Sequence, residues 1–198
     1  MKRDNSSAVI CQEHPLQPFV PRGASVLLLG SFPPPEKRWS MNFFYPNFQN
    51  DMWRIMGLLF YGDREHFVLK DRKAFDYCAV TSFCRDKGIG LYDAAVTVRR
   101  LRGNASDNFL EIVKPADIAG LIMSMPSCTK IASTGGKSAE TVAGILGTDV
   151  PATGDCVRVH VREGRTVDFY RMPSSSRAYP MPIEKKAVYY ARLFGLTL

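Results

Sequence analysis

No apolar run in the sequence approaches the roughly 20 residues that a membrane span needs. The early apolar segment Ala8-Val9-Ile10-Cys11 is too short for a secretory signal. Membrane and exported proteins are thereby set aside. Cys11, Cys78, Cys84, Cys128 and Cys156 are odd in number and contain no C-x-x-C pair, and His14, His66 and His160 lie far apart. Zinc centres and iron–sulfur clusters need ligands at short spacing, so no metal or cofactor is expected. The cysteines read as reduced, mostly packed thiols, which suits the cytoplasm. Internal repeats and low-complexity tracts are missing too. Gly135-Gly136-Lys137 lacks the rest of a G-x-x-x-x-G-K-[ST] phosphate loop and reads as a plain strand-to-helix turn. G-x-G-x-x-G and G-x-S-x-G do not occur, and Ser174-Ser175-Ser176 has no nearby histidine at a strand end, which disfavours a serine hydrolase.

What the chain does have is an ordinary globular composition, 45% hydrophobic and 23% charged over 198 residues. That is enough apolar material for one substantial core and too short a chain for two. A single domain over residues 1–198 is expected, with residues 1–24 (bearing Pro15, Pro18 and Pro21) as an arm lying on it. Lysine plus arginine is 26 against 19 acidic residues, a net charge of +7. Such an excess favours a polyanionic partner, nucleic acid first, through phosphate contacts and counterion release.

Ser25-Val26-Leu27-Leu28-Leu29-Gly30 has the continuous apolar pattern of a buried parallel strand. The Ser31–Glu36 loop, with Pro33, Pro34 and Pro35, cannot be helical. From Asn50, residues Met52, Trp53, Ile55, Met56, Leu59 and Phe60 recur at helical spacing up to Gly62. A mixed-charge helix is expected over about 70–86, and Ile89–Asp93 reads as a second strand end from which Ala94–Arg100 leads away. Pro115 is placed at the first turn of a helix running to about Met125. A third strand, Thr129–Ser133, precedes a helix over Lys137–Leu146. Cys156–Val161 and Thr166–Met172 read as a hairpin, and Pro182–Phe194 as the last helix. Strands alternating with helices argue an α/β domain with a parallel sheet. Its ligands would bind beyond the strand carboxyl ends, where Gly30–Glu36, Leu91–Asp93, Ser133–Lys137 and Met172–Tyr179 converge.

Phe43-Phe44-Tyr45-Pro46-Asn47-Phe48 holds four aromatics in six residues. Core filler is the usual use of such rings, and base stacking suits a basic protein. Together with Gly30-Ser31-Phe32-Pro33-Pro34-Pro35, Asn50-Asp51-Met52-Trp53, Gly88–Asp93 and Met172-Pro173-Ser174-Ser175-Ser176, the sequence resembles the uracil-DNA glycosylase superfamily. The hypoxanthine-DNA glycosylase-like branch is the nearest in motif pattern, and the motifs run in family order over residues 20–195.

The resemblance implies a monomeric three-layer α/β/α sandwich with a central, mainly parallel sheet. It implies a monofunctional DNA repair enzyme that hydrolyses the N-glycosidic bond of uracil or hypoxanthine in DNA by water attack. Asn50 is then the catalytic residue that orients water, although asparagine is also a favoured helix cap. Ser31 and Phe32 would support the leaving base through their backbone N–H groups, and Phe44 or Tyr45 would stack on it unless both are core. Asp93 would read its edge unless it caps a turn. Ser174, Ser176 and Arg177 would hold DNA, the serines having an alternative as turn residues. Arg99-Arg100-Leu101-Arg102 can reach phosphate or form a solvated end.

The sequence departs from the family in having Phe32 where many relatives carry a water-holding Asp or Asn, and Thr134 where asparagine is expected. It also has one extra residue between Pro46 and Trp53. A binding member of the fold with weak or no turnover, and a small-nucleoside hydrolase, are the alternatives.

Overall fold

The computed structural model describes residues 11–101 and 107–197. In chain order the elements are β1 (Cys11–Glu13), β2 (Val26–Gly30), α1 (Met52–Tyr61), β3 (Val68–Leu69), β4 (Ala74–Phe75) and α2 (Tyr77–Asp86). They continue with β5 (Ile89–Asp93), β6 (Ala95–Arg100), β7 (Leu110–Pro115), α3 (Ile118–Ser124) and β8 (Lys130–Ser133). The last four are α4 (Gly136–Leu146), β9 (Cys156–His160), β10 (Thr166–Arg171) and α5 (Ile183–Phe194).

The central sheet has the order β5-β2-β8-β10-β9, with β5, β2, β8 and β10 parallel and only β9 reversed. Every residue of β2 and β5 is buried, as strands covered on both faces must be. The chain leaves β2 toward β5 and then turns back past β2 to β8 and β10. Right-handed crossovers in opposite directions place α1 and α2 on one face, and α3 and α4 on the other. The packing agrees, since α5 lies against α1 and α3 against α4. The result is the expected three-layer α/β/α sandwich, with its direction-reversal crevice between β2 and β8.

Three local readings change. The helix expected over 70–86 is confined to Tyr77–Asp86 and preceded by the short β3–β4 hairpin; the Asp76 carboxylate accepts the Ala79 N–H at 3.0 Å and starts the helix. Pro115 closes β7 instead of opening a helix, and Asp117 caps α3 through the Gly120 N–H at 3.0 Å. Residues 95–100 form the middle strand of a second, antiparallel sheet, β1-β6-β7. The described part of the arm is thus built in: β1 pairs with β6, and Phe19 bridges Leu91. Cysteine packing also differs, with Cys84 and Cys128 buried and the other three exposed. Among the described residues, no helix is long and apolar enough to cross a membrane.

The turn that launches β8 is tied by one side chain. The Arg165 guanidinium donates to the Ile122 carbonyl at 2.8 Å, the Cys128 carbonyl at 2.9 Å, the Pro126 carbonyl at 3.1 Å and the Met125 carbonyl. It satisfies the end of α3 and the following turn together. Arg165→Met strips these acceptors of their donor and is expected to lower unfolding free energy by about 2 kcal/mol. Urea denaturation measures it.

Candidate functional site

Strand register builds the site. Gly30 of β2 pairs with Asp93 of β5, and Leu29 pairs with Ser133 of β8, so three strand ends lie level at the crevice. Beyond them opens a cavity of about 730 Å³. Residues 30–34 line it beside Tyr45, Asn50, Asp93, Asp107, Thr134 and the loop from Ser174 to Pro180. All four predicted rim segments supply part of its wall.

Asp93 forms the floor and is 7% exposed. His14, from the arm, holds it: Nε2 lies 2.9 Å from Asp93 Oδ2, and the imidazole side chain is 1% exposed. The ring is packed edge-on to Phe32 and against Tyr92, while Nδ1 meets the Leu16 backbone. With its proton on Nε2, the imidazole donates to Asp93 Oδ2, and the carboxylate accepts. Gly30 makes room for the carboxylate, since a Cβ there would stand 2.2 Å from Asp93 Oδ1.

Tyr45 forms one wall. Its backbone is left-handed at φ 50°, a conformation strained for a bulky residue. The phenol lies 3.0 Å from the Thr134 hydroxyl. Burial, with the Asp93 charge adding to it, pushes the phenol far above its usual range and outweighs the opposing Thr134 hydrogen bond, so it stays protonated. Phe44 is not part of the lining. It is 3% exposed in the core, where its carbonyl accepts the Trp53 indole N–H at 3.1 Å. Of the two candidate stacking rings, Tyr45 is the one on the cavity. Phe32 borders the cavity, but its ring packs against His14 and the small core of the second sheet, under the Arg100 guanidinium.

Asn50 lies where α1 meets the loop from β10. Its Oδ1 accepts the Met52 N–H at 2.9 Å, so it satisfies the first N–H of α1 from the residue before the N-cap position, which is Asp51, and a second lone pair on that oxygen remains. Asp51, next to it, is 7% exposed and binds two cations: Arg177 Nε at 2.8 Å and Lys186 Nζ at 3.3 Å. Its backbone N–H donates to the Ser175 carbonyl at 2.8 Å, and the fully buried Lys186 donates to the Ser176 carbonyl at 2.8 Å. Ser174 and Ser176 also act as turn residues, their hydroxyls accepting the Ser176 and Ala178 N–H groups at 3.2 Å each. Arg177 is half-exposed at the mouth with Arg38, anchored by Asp51 instead of hanging free.

Asp107, just before β7, enters from the second sheet. The Ser31 hydroxyl donates to its Oδ1 at 2.8 Å. Asp107 is exposed at the cavity edge; partial desolvation where it meets the wall pushes its pKa up and Asp93 adds to that, while the Ser31 hydrogen bond, Arg100 and Lys137 pull it down. Arg100 is not on a solvated end. It is 8% exposed and braces Gln12 Oε1 at 3.0 Å and the Pro33 carbonyl. Half-buried Arg99 pairs with Glu111, and Arg102 lies outside the described residues.

Sequence reasoning missed His14, Asp51, Asp107 and Lys186. Lys186 had a legible signal, because Ile183, Ala187 and Tyr190 place it on the apolar stripe of α5, where a lysine must find a partner. His14 stands 79 positions from Asp93 and gave none.

No family model matches the chain, and no curated protein does. Among solved structures, the solution NMR structure of "a putative Uracil DNA glycosylase from Methanosarcina acetivorans" is similar, with a TM-score of 0.60 at 19% identity. The likeness covers 93% of this chain and 97% of that one. The two share a fold.

Asp51→Asn leaves the buried Lys186 charge without its counter-ion and is expected to cost about 3 kcal/mol or more. Arg177→Ala removes a half-exposed partner and should cost under about 1 kcal/mol. Equilibrium denaturation of both variants checks the ranking.

Proposed function

We propose that the chain is a monofunctional DNA glycosylase that removes a deaminated base, uracil or hypoxanthine, by water attack. One arrangement carries the reading: a buried carboxylate at the cavity floor, a tyrosine ring on its wall and arginines at its mouth. Phosphate would meet the basic mouth, where Arg38 and Arg177 stand, within a chain of net charge +7. An extruded base would lie against Tyr45 and donate its ring N–H to Asp93, which as a carboxylate only accepts. Uracil and hypoxanthine both carry such an N–H next to a carbonyl, whereas the matching nitrogen of adenine is an acceptor and would be repelled. The shared fold with the protein described as "a putative Uracil DNA glycosylase" agrees with this reading.

Water would attack the anomeric carbon as the bond to the base breaks, through an oxocarbenium-like sugar. The free lone pair of Asn50 Oδ1 would hold one water hydrogen while the other lone pair keeps capping α1. The Ser31 and Phe32 N–H groups would face the departing base, and the Ser174–Arg177 loop would grip the flanking phosphates. A second reading, a binder without turnover, has one observation in its favour. Phe32 puts a ring, packed toward the second sheet, where many relatives have an oxygen.

Labelled duplexes carrying uracil, hypoxanthine or xanthine, incubated with protein and then alkali, separate these readings. Strand breaks at the lesion are expected only after alkali. Binding without breaks selects the second reading. Asn50→Ala is expected to lower the single-turnover rate about 100-fold or more, at a stability cost of about 1 kcal/mol for the lost cap. A lowered melting point with a normal rate would reduce Asn50 to a cap.

A further inference from the structure

Resting on the glycosylase reading above, we propose that Asp107 is the catalytic base, taking the proton from the attacking water at the Ser31 side of the cavity. Water attack makes a carbon–oxygen bond at the anomeric carbon and breaks the carbon–nitrogen bond, whose electron pair leaves with the base. One water proton must then go to a group that can hold it. Asn50 cannot be that group, because an amide accepts hydrogen bonds but not protons at working pH. Phe32, at the position of an Asp or Asn in many relatives, offers no side-chain oxygen.

Among the residues lining the cavity, the groups able to take a proton are the carboxylates of Asp93 and Asp107. The two are placed differently. Asp93 lies at the floor with one oxygen held by His14. Asp107 lies where water reaches it, one oxygen held by Ser31 and the other facing no hydrogen-bond partner among the described residues. Paired carboxylates in unlike environments divide into distinct roles. Asp93 reads the base and Asp107 handles the proton, which then passes to solvent, while the departing base anion takes its own proton from solvent.

The surroundings of Asp107 suit this role. Partial desolvation where it meets the cavity wall, and the charge of Asp93 on β5, raise its pKa above the usual carboxylate range, which makes it a better proton acceptor than a free aspartate. Arg100 on β6 and Lys137 on α4 oppose that shift, and so does the Ser31 hydroxyl. Because only the ionised form accepts a proton, the rate should fall as pH drops through the raised pKa. The β6–β7 segment thus supplies the oxygen that Phe32 lacks, held in place by the residue next to Phe32.

Single-turnover excision on uracil and hypoxanthine duplexes, followed across pH, tests the assignment. Duplex affinity and melting point are recorded alongside. Asp107→Asn is expected to slow excision about 100-fold or more, to leave affinity and melting point near wild type, and to abolish the acid limb of the rate profile. Ser31→Ala removes the hydrogen bond that stabilises the ionised form, so its acid limb should move to higher pH. This second variant keeps the test sharp if Asp107→Asn folds poorly. An Asp107→Asn rate within about threefold of wild type, or an unmoved limb in Ser31→Ala, overturns the proposal while the glycosylase reading stands. A wild-type protein that cleaves none of the duplexes overturns both.

Discussion

Asp51 is the constraint on which the geometry of the site depends. One buried carboxylate at the start of α1 binds Arg177 and Lys186, and the adjoining N–H fastens Ser175. Three segments distant in sequence are thereby locked: the aromatic loop, the loop after β10 and α5. An unpaired charge at this depth would cost several kcal/mol, so the cluster permits essentially one arrangement of these segments. Asn50 and the serine loop stand side by side at the cavity because of it, joined by the bridge between Asn50 and Ser176. Arg177 follows from the same pairing, with its guanidinium half out in solvent and its base held.

The cavity floor uses a second, independent lock. His14 reaches Asp93 from the arm, and Gly30 leaves the space that the carboxylate occupies. Tyr45 is kept in a strained backbone conformation between Thr134 and Trp53. Strain of this kind persists only where the surroundings over-determine it, and it gathers at functional positions. Charges in the site are graded by depth, with the Asp93 carboxylate inside and arginines at the rim. A polyanionic strand would be drawn to the mouth, and only a neutral group that donates hydrogen bonds would be welcome at the floor.

Much of the architecture was legible in the sequence because it rests on short-range pattern. The apolar run of β2, the helical spacing after Asn50 and the strand-turn-helix at Thr129–Leu146 each declare themselves locally. Where the local pattern misled, tertiary contacts had overridden it. Pro115 has a helix-starting residue's chemistry but ends a strand, and residues 95–100, with no strong alternation, gain their order by pairing with β1 and β7. The aromatic loop divided in a way that periodicity cannot show, since Phe43 and Phe44 fill the core while Tyr45 turns out through a positive φ. The charged partners were illegible for a plainer reason. His14 and Asp93, or Asp51 and Lys186, are far apart in the chain and meet only after the sheet has formed.

The central claim is that the cavity receives a base extruded from DNA, with Tyr45 on its face and Asp93 on its edge. The most direct measurement is a crystal structure bound to a duplex whose lesion is a 2′-fluoro deoxyuridine or deoxyinosine. The electron-withdrawing fluorine destabilises the oxocarbenium-like sugar and holds the bond intact. The account predicts a flipped base within hydrogen-bond reach of Asp93 and phosphates beside Ser174, Ser176 and Arg177. A duplex bound on another face, with the lesion stacked and the cavity empty, would contradict it.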